Sequence, residues 1–235
     1  MTTVPISPGS SGEEGLWRTA LEVAALFRDW PWVIIGAQMV MLLELEHGRP
    51  SGRTTSDLDA MVDVRVVVDA MRLGAERLID AGFESSAEHR FRFVRGLDQV
   101  DLLVPDHVGR RVDLATISSE ATAGIPGGRR ALATRRFIPV DIVHVGVGDL
   151  PVPSLAGAIV IKMSAHEARG TRRDLEDLVR LLALVDDVDA VRDELKPRER
   201  KRLGAISALV TAADAAWSVA VDPDNARAAF ARLAD

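Results

Sequence analysis

Trp32-Val33-Ile34-Ile35 is an apolar, β-prone run that follows Pro31, and one glycine, Gly36, separates it from a helical segment, AQMVMLLELEHG, that begins at Ala37. Gly48 closes that helix. A strand that enters a helix through one residue ties the two elements closely together, so this part of the chain reads as a sheet with helices laid on it.

The same change of period recurs through the first 153 residues. In residues 13–28 (EEGLWRTALEVAALFR), Leu16, Leu21, Ala24, Ala25 and Phe27 fall at helical intervals. RPSGRTTS is a loop by composition, DLDAMVDV a strand, and VVVDAMRLGAERLIDAG a helix stopped by Gly82. HRFRFVR and QVDLLVP meet at Gly96-Leu97-Asp98 and read as a β-hairpin. Residues 105–136 carry less pattern: a short helix around Ser118 to Thr122, then a turn at Pro126-Gly127-Gly128. FIPVDIVHVGV and LPVPS are further strand. From Leu155 the pattern is helical, broken near DDVD, at Pro197 and at Asp222-Pro223. The expected fold class is α+β, a mixed sheet flanked by helices and followed by a helical part. The expected division is a disordered leader over 1–12, an α/β domain over 13–153 and a helical domain over 154–235.

Composition narrows the function. No apolar run reaches the roughly 18 residues of a membrane span, and the first residues lack the basic start and apolar core of a secretory signal. With no cysteine, thiolate chemistry and disulfides are excluded, and a cytoplasmic location is expected. A net charge of −6 argues against a broad nucleic-acid-coating surface, and six Phe, four Trp and no Tyr supply little for a base-stacking platform.

Asp57 and Asp59 lie two residues apart on a strand, so both project to one face, about 6.5 Å apart along it. Like charges at that spacing repel unless they are solvated or a cation lies between them. Carboxylate oxygens are hard ligands that favour Mg²⁺ or Mn²⁺, and paired metals are a usual device for in-line displacement at phosphorus. Asp101 is a third acid, alternating with Val100, Leu102 and Val104 on another apolar strand, where an unpartnered charge is costly.

The order of these features resembles the nucleotidyltransferase superfamily over roughly residues 30–185: IIGAQ with Gly36, then SDLDAMV, then VDLLV. Arg53 ahead of the acids, in RTTSDLD, is similar to the AbiEii-like branch of toxin and resistance proteins. So is the later segment with Lys162, Arg169, Arg173, Asp174 and Asp177. The resemblance implies a metal-dependent enzyme with the nucleotidyltransferase fold, moving a nucleoside monophosphate from NTP to an acceptor hydroxyl. It implies that Asp57, Asp59 and Asp101 are metal ligands and catalytic groups, and that Lys162 offsets triphosphate charge. Gly36, Ala37, Arg53, Ser56, Arg169, Arg173 and Asp174 are then expected at the nucleotide. A tRNA 3′ end or an aminoglycoside-type small molecule is the implied acceptor, and an antitoxin protein an implied partner. The sequence departs from the family turn at Gly36-Ala37, where Gly-Gly or Gly-Ser is usual. Helix-start amides that receive phosphate are retained there and a side-chain hydroxyl is lost. That departure supports an alternative, a catalytically silent module of the same fold.

Three weaker features stand beside this reading. Gly127-Gly128 with Arg129 and Arg130 reads as an exposed turn rather than a phosphate cradle, and KPRERKR (residues 196–202) as a solvated helix start rather than an RNA contact. Asp63, facing the same way as Asp57 and Asp59, reads as a solvent-exposed strand end.

Overall fold

The computed structural model describes residues 2–67, 69–108, 124–206, 209 and 214–235. In chain order the elements are β1 (Val4–Ile6), α1 (Ser11–Leu26), β2 (Trp32–Ile35), α2 (Gly36–Glu46), β3 (Asp57–Val62), α3 (Ala70–Asp80), β4 (Glu84–Ser85), β5 (Arg92–Arg95) and β6 (Asp98–Pro105). There follow β7 (Gly124–Ile125), α4 (Gly128–Ala133), β8 (Arg135–Ile142), β9 (Gly146–Pro153), α5 (Leu155–Arg169) and α6 (Arg172–Ala183). Then come α7 (Val188–Glu194), α8 (Pro197–Gly204), α9 (Asp214–Trp217) and α10 (Pro223–Ala234). The short helix expected around Ser118 to Thr122 lies outside the described residues.

The larger sheet is mixed, in the order β2-β3-β6-β5-β4, with β7 against β6. β3 and β6 run parallel, β2 is antiparallel to β3, and β5 is antiparallel to β6. The parallel pair requires a crossover, and α3 lies within the connection that carries it. A second sheet joins β1, β8 and β9. Mixed α/β architecture with helices beside a mixed sheet is therefore the fold class. No helix among the described residues is long and apolar enough to cross a membrane.

β1 corrects the expected disordered leader. Val4 and Ile6 are buried and pair in parallel with Val140 and Ile142 of β8. α1 begins at Ser11, whose predecessor Ser10 accepts a hydrogen bond from the Glu13 amide as an N-cap. Three residues are too short a run to stand out by period, and their partner lies over a hundred positions away.

Core burial explains the element pattern. Trp17, Phe27, Ile34, Leu58, Met61 and Phe93 are fully buried around the sheet. α5 and α6 are joined at Gly170, which takes a left-handed backbone that costs glycine little. The N-caps Ser154 and Thr171 each accept an amide of the following first turn.

Candidate metal centre

Strand register assembles the three acids. In the parallel pair, Asp59 lies opposite Asp101 and Asp57 opposite Gln99; in the antiparallel pair, Asp59 lies opposite Ile35, the last residue of β2. One carboxylate oxygen each from Asp57, Asp59 and Asp101 lies within 4.8 Å of the others. The strand between them presents Leu58, Ala60 and Val62 to the core, which leaves the acid-bearing face to the site.

Directly after Ile35 the chain turns at Gly36, with φ of +71°, and α2 begins. A Cβ at Gly36 would lie 1.7 Å from Asp59 Oδ2 and 2.7 Å from its Cγ. Glycine is required here by two independent constraints, the left-handed backbone and the packing of the carboxylate. The N-terminal end of α2, where backbone amides lack helical partners, is thereby brought against Asp59. Ala37 follows, buried.

The cluster is electrostatically loaded. Burial first, then the Asp57 and Asp101 carboxylates, push the Asp59 carboxyl from its ordinary 3.8 up to about 7; Lys162 and Arg169 pull the other way. Asp57 accepts a hydrogen bond from the Thr55 hydroxyl. Asp101 is buried and accepts two bonds from one guanidinium: Arg92 Nε to Oδ1 at 2.7 Å and Arg92 Nη2 to Oδ2 at 2.8 Å. The same Nη2 lies 3.9 Å from Asp57 Oδ2. With all three carboxylates ionised, the state in which they would bind a metal, the cluster and its one guanidinium carry a local charge of two negatives, the charge that one divalent cation would balance. Each Asp101 oxygen keeps a second lone pair, so the Arg92 contacts do not exhaust its capacity as a ligand.

The expected cations stand around this cluster, each occupied differently. Lys162 is buried on α5 and donates from Nζ to Asp177 Oδ2 at 2.7 Å. Arg53 donates from Nε to the other oxygen, Oδ1, at 2.8 Å. Asp177, itself buried on α6, thus joins the loop before β3 to α5. That loop is tied down by Glu44, a buried acid on α2 that accepts from Ser51 Oγ at 2.7 Å and Arg180 Nη1 at 3.2 Å. Arg169 grips Asp174 with two bonds, of 3.1 and 2.6 Å. Burial raises the Asp174 carboxyl, but hydrogen bonds from Arg169 and Thr171 outweigh it and hold the group below the usual carboxylate range. Ser56 is exposed and lines a cavity of about 690 Å³ between α1 and the 51–56 loop. Arg173 is exposed and makes no ion pair among the described residues.

The structure therefore gathers Asp57, Asp59, Asp101 and Gly36 into one site, with Lys162 and Arg169 within electrostatic reach of Asp59. Arg53 and Asp174 are engaged in ion pairs beside it. Arg92 is the residue that sequence reasoning overlooked; the hairpin turn at Gly96-Leu97 pairs Arg95 with Asp98 and, counting outward, Arg92 with Asp101. The expected solvent-exposed end at Asp63 is also corrected. Asp63 is buried, and Arg65, two residues on, meets its Oδ1 and Oδ2 at 2.7 and 2.6 Å.

No family model matches the chain, and no curated protein is significantly similar to it.

Proposed function

We propose that the chain is a divalent-metal-dependent nucleotidyltransferase, with Asp57, Asp59 and Asp101 as the ligands of Mg²⁺ or Mn²⁺. The observation that carries this reading is the convergence of three carboxylates beside a helix start that Gly36 alone can supply. The donor set fits: all oxygen and net negative, with an Asp59 carboxyl that burial first, and then the neighbouring Asp57 and Asp101 carboxylates, push up to about 7. Such ions, when bound, neutralise triphosphate oxygens and the pyrophosphate that leaves.

The remaining work falls to the chain itself. The first amides of α2, from Gly36 and Ala37 onward, offer donors for phosphate oxygens. An acceptor hydroxyl oxygen bonds to the α-phosphorus while the bond from that phosphorus to its bridge oxygen breaks; the hydroxyl proton passes to a carboxylate oxygen of Asp101. Arg92 fixes that carboxylate in the required orientation. Lys162, held by Asp177, acts on phosphate through its field, since its ammonium already has a carboxylate partner. Exposed Arg173 is available to an incoming anion. The fold that fits this reading is the nucleotidyltransferase fold, and the acceptor a tRNA 3′ end, as in AbiEii-like toxins, or an aminoglycoside-type small molecule.

A second reading has its own observation. The two-bond grip of Arg92 on Asp101 supplies internally part of the positive charge that a cation would bring, as a catalytically silent module that binds a partner chain would need.

The deciding experiment is transfer of radiolabel from the α-phosphate of each NTP, with Mg²⁺, onto total tRNA, total protein and an aminoglycoside panel. Label on one acceptor class, absent with the Asp57→Ala/Asp59→Ala variant, establishes the reaction. No label anywhere, and no stabilisation by NTP with Mg²⁺, selects the silent module.

A further inference from the structure

At the other end of β3 and β6 lies a second concavity, of about 820 Å³. Six cationic residues line it: Arg65, Arg129, Arg130, Lys196, Arg198 and Arg202. They come from three remote stretches, the residues after β3, the Gly-Gly-Arg-Arg segment opening α4, and the basic run around the start of α8. Asp106, Glu167 and Glu199 are the acids on the same wall, so the lining is net positive in a chain of net charge −6.

The six divide into two kinds. Arg65, Arg130 and Arg202 are fixed by carboxylates: Arg65 on Asp63, Arg130 Nε at 3.6 Å from Glu199, and Arg202 Nε at 3.1 Å from Glu167 Oε1, with Arg202 Nη2 donating to Ser164 Oγ at 2.8 Å. Arg129, Lys196 and Arg198 are exposed and have no ion-pair partner among the described residues. Folding has thus concentrated three exposed cations without ion-pair partners among the described residues around one concavity, together with three arginines anchored by carboxylates. Like charges gathered this way repel, and an anion relieves the repulsion.

The site is separate from the acid cluster. Asp59 and Asp63 are four residues apart on one strand direction, roughly 13 Å. α5 stands between the two: Lys162 and Arg169 act on Asp59, while Val160, Ser164, Glu167 and Ala168, at helical spacing, line the basic pocket.

We propose that this pocket binds a small molecule carrying two or more phosphate groups, without a divalent metal. Compact size favours a small ligand over a polynucleotide: the volume lies in the range of small-molecule sites, and among the described residues His107 is the one aromatic ring on its wall, with no Phe or Trp there for base stacking. Arginine forks suit phosphate oxygens, and three free cations exceed what one phosphate needs.

The test is calorimetric titration of the whole chain with inorganic tripolyphosphate, in EDTA and at fixed ionic strength. The wild-type chain and the Asp57→Ala/Asp59→Ala variant should bind one equivalent with the same affinity. Arg129→Ala/Arg198→Ala should bind at least about tenfold more weakly, since each lost charge-assisted contact is worth about that much. Both substituted arginines are exposed and unpaired, and an unchanged melting temperature confirms that the fold survives. No binding by the wild type overturns the proposal, as does equal binding by the arginine variant. Tighter binding by the aspartate variant would overturn the proposal and assign the anion to the neighbourhood of the acid cluster, where removing two carboxylates relieves repulsion. Binding of a short RNA, blocked by the arginine substitutions, where tripolyphosphate fails to bind, would replace the small ligand with a nucleic acid.

Discussion

Gly36 and Asp59 are packed so closely that one methyl group cannot be added between them: a Cβ on Gly36 would stand 1.7 Å from Asp59 Oδ2. The contact follows from β2 ending opposite Asp59 and the chain turning at once into α2 with φ of +71°. Gly36→Ala is therefore expected to cost about 1–2 kcal/mol from the left-handed backbone alone, and to push the Asp59 carboxylate out of the cluster. Chemical denaturation should report the first effect and Mn²⁺ titration a weakened affinity. A variant that binds Mn²⁺ like the wild type would show that the packing does not position Asp59.

Asp59 sets a pH dependence in the metal-free chain. Its carboxyl is raised from 3.8 to about 7 on folding, so between these values the folded state holds a proton that the unfolded state has released. This group's contribution to stability falls as pH rises from about 4 to about 7, and the penalty is complete above that. Asp59→Asn removes the ionisation. In EDTA at pH 8 it should be more stable than the wild type, on the order of 2 kcal/mol after allowing for solvent screening, with the difference vanishing near pH 4. Parallel stability curves for the two proteins across that window would refute the assignment.

Arg92 and a divalent cation are expected to substitute for one another. Arg92→Ala leaves the buried Asp101 carboxylate without its two hydrogen bonds and should cost about 1–3 kcal/mol in EDTA. Saturating Mn²⁺ should recover much of that loss, so the metal-induced rise in melting temperature should be larger in the variant than in the wild type. An equal or smaller rise would show that Arg92 and the metal do not substitute for one another, and no rise in either protein would favour the silent module.

Lys162 is a buried charge with a buried partner, which makes its removal costly. Lys162→Met is expected to destabilise the chain by about 3–5 kcal/mol, as for other broken buried pairs. Adding Asp177→Asn should cost less than the sum of the two single losses, because the pair has already been lost. Arg53, on the other Asp177 oxygen, moderates the effect. Strict additivity in denaturant melts would show that the two groups do not act together.

Much of the site was legible in the residues. The period of two in DLDAMV places Asp57 and Asp59 on one face, and the Gly96-Leu97 turn with its alternating flanks defines the hairpin that carries Asp101. The helix stops at Gly48 and Gly82 follow from left-handed backbones that glycine accepts. These are local facts, settled by the stereochemistry of neighbouring residues. What tertiary structure decided is who meets whom across long separations. The edge strand Val4–Ile6 depends on β8; Lys162 and Arg53 share Asp177, which lies 15 and 124 positions away. The basic pocket likewise joins Arg65 to the stretches around positions 129 and 198, which in sequence read as an exposed turn and a solvated helix start. Periodicity tells which face of an element is buried, but long side chains and short strands acquire partners only when packing brings distant surfaces together.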